Sequence, residues 1–358
     1  MRFAVIMAGG SGTRLWPMST RLRPKQLLRF IGGQSLLSIA VGRLRDLIEP
    51  AGVYICTSAS YADQVLTELA ILPAKQIIGE PMGRDTANAV ALTAAILARI
   101  QPDSAMAVLT ADHIIEPMDV FQNCLREGFE TVARYPDYLV TFGIKPTYPA
   151  TGYGYVEQGE ALGSDTEAFR VRAFKEKPVE SLARDYVQSG RFFWNSGMFV
   201  WNTRTILKEL QKHLPESYAG VSRIAAAWGT ADFTRVLRDI YPTLRKISID
   251  YAVLEKAPHV AMIPMPVNWL DVGNWNSVAA TVPADAAGNR AIGCDIVGLD
   301  STGVLAVSEA PHLVAAIGLR DMVIIHTPAA TLVCPADKTE RIKELVAQIQ
   351  KQYPDRYT

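Results

Sequence analysis

Near its start the chain places three glycines within four positions, Gly9-Gly10-Ser11-Gly12. An uncharged apolar run, Phe3 to Ala8, precedes them, and Thr13-Arg14-Leu15-Trp16-Pro17 follows, with Pro24-Lys25-Gln26 further on. Phe3–Ala8 is too short for a lone helix and reads as a strand buried on both faces. The glycines stop that strand and leave backbone amides open to a bulky anion. Arg14 adds a planar fork and Lys25 a compact point charge. Together these describe a polyphosphate site at the carboxyl end of a buried strand. Two familiar phosphate loops are excluded. The dinucleotide fingerprint needs a third glycine where Leu15 stands, and the P-loop needs a Gly-Lys pair that is absent from this turn. A tight strand-to-helix turn with surface cations is the plainer alternative.

Beyond the turn, short apolar runs alternate with helical patterns. Strands are expected at 52–57, 76–78, 105–109 and 138–143, and helices at 61–72, 84–100 and 121–133, after one over 36–47 that Ser35 can cap. This alternation argues for an α/β fold with a mainly parallel sheet, helices on both faces and right-handed crossovers. Ligands on such a sheet sit outside the carboxyl ends of the strands. Thr110-Ala111-Asp112-His113 falls at that edge. A lone carboxylate there would repel a triphosphate, whereas one that shares Mg²⁺ with it is attracted; a helix N-cap is the alternative for Asp112.

Further along, Thr151-Gly152-Tyr153-Gly154-Tyr155 interleaves close-approach glycines with flat rings. In Phe174-Lys175-Glu176-Lys177-Pro178, Glu176 can accept paired hydroxyl hydrogen bonds and Lys177 can neutralise a phosphate, with a solvated strand end as the plainer alternative. Asn195 can both donate and accept, and Gly197 leaves access beside it. Thr203 to Ile240 reads as helical, with breaks near Pro215 and Gly229, and Ile249–Lys256 as a further helix. From Pro283 the texture turns to short β-rich runs, and an amphipathic helix over Lys338–Gln350 follows them.

The 36 basic and 36 acidic residues balance, so phosphate binding must be local, and neither a nucleic-acid nor a membrane surface is expected. No apolar run approaches the ~20 residues of a membrane helix, and a strand so near the N-terminus leaves no room for a signal peptide. Cys56, Cys124, Cys294 and Cys334 show no paired spacing for zinc or a disulfide framework and read as reduced thiols.

The pattern G-G-S-G-T-R-L-x-P…P-K resembles the signature of the sugar-nucleotidyl transferases. With Trp16 and Pro24-Lys25-Gln26 it looks most like that of the mannose-1-phosphate guanylyltransferases. The resemblance covers nearly the whole chain, with six motifs in family order. It implies a Rossmann-like, GT-A-like nucleotidyltransferase domain over 1–282. A small β-rich domain over 283–358, resembling a left-handed β-helix, is implied as well, without an isomerase half. The implied reaction joins GTP and mannose 1-phosphate to give GDP-mannose and pyrophosphate, by in-line attack on the α-phosphate with Mg²⁺ as cofactor. Ala8, Gly9, Gly10, Ser11, Gly12, Thr13, Arg14, Lys25, Asp85 and Asp112 would bind the nucleotide. Gly152, Tyr153, Glu176, Lys177, Asn195 and Gly197 would bind the sugar, with Asp250 and Glu255 behind them. Asp112, and Asp271 of Trp269-Leu270-Asp271-Val272-Gly273-Asn274-Trp275, would hold the metal. Arg14, Lys25, Asp112, Lys177 and Asp271 would form the catalytic set, with His113 structural. The family usually shows Gly-Arg-Asn-Thr-Ala-Pro where Asp85 and Asn88 stand here, and Glu where Ala150 stands. Asp85 is open between reading guanine N1 and N2 and capping a helix. A cytoplasmic homodimer is expected. Another NTP or hexose 1-phosphate, or a silent nucleotide-sugar-sensing subunit, is the alternative.

Overall fold

In the computed structural model, which describes residues 1–10, 12–30, 32–354 and 356–358, the apolar runs form strands. They are β1 (Arg2–Ala8), β2 (Val53–Ser58), β3 (Ile77–Glu80), β4 (Ala105–Thr110), β5 (His113–Glu116), β6 (Leu139–Ile144), β7 (Tyr155–Ala161), β8 (Phe169–Lys175), β9 (Phe192–Asn202), β10 (Val260–Pro264) and β11 (Asn268–Asp271). The chain divides into two units. One comprises Met1–Gly9, Ala40–Ala111 and Ile115–Trp269; the other comprises Gly10–Ile39, Asp112–Ile114 and Leu270–Thr358.

The first unit is built on a nine-stranded sheet of order β3-β2-β1-β4-β9-β6-β10-β8-β7. β3, β2, β1 and β4 are mutually parallel, as their helical crossovers require. β9 runs antiparallel between β4 and β6, which makes the remainder of the sheet mixed. Its Met198–Trp201 run is buried throughout, so apolarity alone could not reveal its direction. Helix Asp85–Ile100 is buried at every position from Ala87 to Leu97. Its alanines let helices Thr203–His213 and Pro215–Ala226 approach closely. These elements share one apolar core with Phe3, Val5, Val108 and Trp201. The expected helix over 36–47 is shorter, Leu36–Gly42, with Ser35 Oγ accepting the Ser38 N–H at 3.0 Å. The segment expected as a helix over 249–256 is a π-helical turn, Asp250–Leu254, in which the Glu255 N–H reaches the Asp250 carbonyl at 3.0 Å.

In the second unit, β12 (Arg290–Ile292), β14 (Leu305–Ser308) and β16 (Met322–His326) lie parallel in one sheet, and β13 (Asp295–Leu299) and β15 (Leu313–Ile317) in another. The chain therefore alternates between two sheets, as in a β-helix. β17 (Thr331–Pro335) turns back antiparallel on β16, and helix Ile342–Gln352 follows. The core of this unit is not confined to the β-rich segment. Leu15, Trp16 and Leu28 from the N-terminal motif pack with Trp275, Val307, Ile325 and Ile342. Trp275 Nε1–H donates to the Trp16 carbonyl at 3.1 Å, and Phe30 meets the Trp275 ring edge-on at 5.7 Å. Among the described residues no helix is long and apolar enough to cross a membrane.

Candidate active site

Lys25 opens a one-turn 3-10 helix directly after Pro24. Its side chain is mostly buried, with Nζ 2.5 Å from Asp112 Oδ2 and 3.9 Å from Asp271 Oδ1. The same ammonium donates to the Val272 carbonyl at 3.2 Å. Asp112 and Asp271 come from strand ends far apart in sequence, yet the Val272 N–H donates to the Asp112 carbonyl at 3.2 Å and ties the two ends together. No helix follows Asp112: the chain runs on into β5, so the N-cap alternative does not apply there. Nor does Asp271 cap a helix, because Asn274 does so, in a capping box with Ser277. His113 Nε2 lies 3.8 Å from Asp112 and 4.0 Å from Asp271, flanking the pair.

The charges reinforce one another. Burial disfavours the Lys25 ammonium, but Asp112 and then Asp271 more than offset it, and its pKa is raised. Burial likewise opposes ionisation of Asp112, yet Lys25 and then His113 hold its pKa below the usual carboxylate value. The result is an ammonium and a carboxylate that both stay charged, with a second carboxylate beside them.

Gly12 makes this placement of Lys25 possible. Its φ is +62°, and a Cβ there would stand 2.5 Å from Lys25 Cβ. Gly10 also has positive φ, +97°. Thr13 and Arg14 lie on the 3-10 turn that follows Gly12. Arg14 Nε pairs with Glu340 Oε2 at 2.6 Å, a partner that no sequence motif announced. Ser11 falls outside the described residues.

A second group lies in the first unit. Glu176 is largely buried and 3.2 Å from Lys177 Nζ, while the Lys177 side chain is exposed. Gly154 has no Cβ to collide with Glu176 Oε2, which is what the Gly-Tyr-Gly pattern allows here. Burial lowers the pKa of Lys177, but Glu176 outweighs it, and the net shift is upward. Asn195 accepts from Thr141 Oγ1 at 2.9 Å and from the Gly197 N–H at 3.3 Å, and donates to Asp250 Oδ1 at 3.1 Å. It therefore retains one amide hydrogen for a ligand. Burial, and then Glu176, raise the Asp250 carboxyl to about 7. Glu255 accepts the Glu176 N–H at 3.3 Å. Tyr153 packs edge-on against Trp194 and Trp269, with centroids 5.3 and 4.9 Å away, while Gly152 faces open space.

At the end of β1, Ala8 is buried and its carbonyl accepts from Thr57 Oγ1 at 3.0 Å. A Cβ on Gly9 would lie 3.9 Å from Glu80 Oε2, and the other oxygen of Glu80 accepts the Tyr241 hydroxyl at 2.5 Å. Burial raises the Glu80 carboxyl to about 7. The sequence reading missed Glu80, because a single acid at a strand end carries no sign of its burial. Asp85 is exposed, with φ +66°, and its carboxylate accepts the Thr86 N–H at 2.8 Å at the start of helix Asp85–Ile100.

Two carboxylates on one ammonium suit a hard divalent cation that takes one or two carboxylates and draws further oxygens from phosphate and water. Among the described residues no group of three or more His, Cys, Asp or Glu gathers that could hold an ion, so the protein offers a partial donor set.

Residues 3–287 match the family model described as nucleotidyl transferase, and residues 295–349 match the MannoseP isomerase/GMP-like beta-helix domain. The chain is 38 % identical over 364 residues to a Klebsiella pneumoniae protein named mannose-1-phosphate guanylyltransferase, an alignment covering 100 % of this chain and 76 % of that one. Xanthan biosynthesis protein XanB of Xanthomonas campestris pv. campestris (strain B100) is 37 % identical over 352 residues, or 97 % of this chain and 73 % of that one. A solved structure from Thermus thermophilus, described as a mannose-1-phosphate geranyltransferase, superposes with a TM-score of 0.87 at 31 % identity, covering 98 % of this chain and 99 % of that one.

Proposed function

The chain belongs to the mannose-1-phosphate guanylyltransferase family of nucleotidyl transferases, and on that premise we propose that it transfers GMP from GTP to mannose 1-phosphate, releasing pyrophosphate. The observation that carries the reading is the Lys25 ammonium gripped by Asp112 and Asp271 beside the glycine turn. Both substrates are anionic, so the enzyme's main task is to bring negative charges together in the right geometry. Lys25 and Arg14 hold the β- and γ-phosphates and stabilise the charge that develops on the leaving pyrophosphate. The amides of Gly9 to Thr13 supply neutral donors to the same phosphates. Lys177 holds the sugar phosphate whose oxygen attacks the α-phosphorus. That oxygen is already an anion, so no side chain need act as general base, and His113 serves to flank the carboxylates.

Asp112 and Asp271 would hold Mg²⁺, which when bound supplies charge neutralisation for the phosphate oxygens. Glu176, Asn195 and the backbone around Gly152, Tyr153 and Gly197 bind the hexose hydroxyls. Guanine presents a paired N–H donor edge that adenine lacks. Glu80, beside Gly9, joins Asp85 as a candidate acceptor for it.

We assign catalysis to a domain over 1–282 and place the β-rich domain over 283–358. Val297, Leu299, Leu313 and Ile317 are exposed on β13 and β15, an apolar surface that supports a homodimer. The balanced charge supports a cytoplasmic enzyme with no nucleic-acid or membrane partner. The test is pyrophosphate release measured across four NTPs and several sugar 1-phosphates. GTP with mannose 1-phosphate should give the highest kcat/KM. Faster turnover of another pair would overturn the substrate assignment, and release with none of them would overturn the activity.

A further inference from the structure

Arg14 is the exposed member of the cation pair, and a mobile arginine is a poor phosphate ligand because ordering it opposes binding. The chain answers this from its C-terminal part. The 3-10 helix Ala336–Arg341 carries Glu340, whose Oε2 lies 2.6 Å from Arg14 Nε. Its other oxygen, Oε1, accepts from Asn274 Nδ2 at 2.8 Å. Asn274 is itself held, because its Oδ1 accepts the Ser277 N–H at 3.0 Å. The segment bearing Glu340 is anchored separately, through Asn276 Nδ2 donating to the Ala336 carbonyl at 2.9 Å. The carboxylate is therefore fixed before it meets the guanidinium.

The atom it takes also matters. The nearest atom to Glu340 is Nε, the inner nitrogen, and the contact is an ion pair without a hydrogen bond at Nε. The two terminal nitrogens form the fork that suits a phosphate. A carboxylate seated on that fork would compete with phosphate, whereas the nearest contact of Glu340 is to the inner nitrogen.

We propose that Glu340 is a positioning residue for polyphosphate binding, holding Arg14 by an ion pair so that its guanidinium meets the phosphates. The proposal rests on the nucleotidyl-transfer reading, in which Arg14 meets the leaving pyrophosphate. Both partners are substantially exposed, with side chains at 41 % and 58 %, so solvent screening keeps the effect modest. Exposed pairs of this kind correspond to at most about a fivefold change in an equilibrium constant.

The test uses inorganic pyrophosphate with Mg²⁺ as the probe and calorimetry as the readout, on the full chain. Glu340→Ala should weaken pyrophosphate binding about threefold to fivefold. Glu340→Gln, which keeps the shape but not the charge, should lose about as much, because the contact is an ion pair and not a hydrogen bond at Nε. In an Arg14→Ala background Glu340→Ala should change nothing, because there is no guanidinium left to position. Unchanged affinity in Glu340→Ala overturns the proposal, as does tighter binding, which would make the carboxylate an opponent of the phosphates. An equal loss with and without Arg14 also overturns it, since it would mark a structural role. Failure of the wild-type chain to release pyrophosphate from GTP and mannose 1-phosphate would sink the functional reading alone. The pyrophosphate affinities would still decide the role of Glu340.

Discussion

Replacing Glu80 by glutamine tests the electrostatics of the buried edge next to Gly9. Glu80 is 7 % exposed, and burial raises its carboxyl from 4.5 to about 7. The shift persists although Tyr241 and Cys56 both donate hydrogen bonds that favour the anion, so desolvation is the larger effect. A carboxyl whose folded pKa is raised is stabilising while protonated, and that contribution is lost as pH rises through the folded value. The window thus opens near 4.5 and closes near 7. At about 1.4 kcal/mol per tenfold change in proton affinity, ionised Glu80 costs the native state about 3 kcal/mol at pH 8 relative to acidic pH. Glutamine keeps an oxygen for the Tyr241 hydroxyl and carries no charge, so Glu80→Gln should remove this dependence. The assay is urea unfolding of wild type and variant at pH 5 and pH 8, followed by tryptophan fluorescence. The variant should gain about 2 to 3 kcal/mol on the wild type between the two, less than the full effect because pH 5 already lies inside the window. Parallel pH profiles would refute the reasoning, because they would mean that Glu80 is ionised at no cost.

Three further outcomes follow from the Lys25 cluster. Lys25→Ala and Arg14→Ala should each lower kcat about a hundredfold, roughly 3 kcal/mol of transition-state stabilisation, with a smaller change in the KM for mannose 1-phosphate; near-normal turnover in either would remove that residue from the mechanism. Asp112→Asn should abolish pyrophosphate release at ordinary Mg²⁺ while circular dichroism shows an intact fold, and full activity in that variant would defeat the metal assignment. Gly12→Ala places a methyl 2.5 Å from Lys25 Cβ at a backbone angle that disfavours alanine, so it should lower kcat with little change in the far-ultraviolet spectrum; an unaffected kcat would show that Lys25 tolerates displacement.

Several features were legible in the residues because their causes are local. Uncharged runs such as Phe3–Ala8 had to be buried, and they are strands. Glycines at 10 and 12 signalled a turn of unusual backbone geometry, and both have positive φ. The strands from 295 onward were separated by turn residues and fall almost where the punctuation put them. Asp112 and Asp271 each announced themselves at a strand end, and the structure sets both on one ammonium. What the residues alone could not decide depends on partners remote in sequence. The direction of β9 is one such feature, because a run buried on both faces reads alike whether its neighbours are parallel or not. The burial of Glu80 is another, since it is Tyr241, far along the chain, that covers it. The largest is the core to which the phosphate motif belongs. Leu15 and Trp16 stand in the N-terminal signature, yet they are buried with Trp275, Val307 and Ile342. Through the same packing Arg14 meets Glu340. Apolar burial is non-directional, so a tryptophan in a sequence says that it will be covered but not by what. Which side chains cover it, and which charge is carried along with them, emerges only when the whole chain has packed.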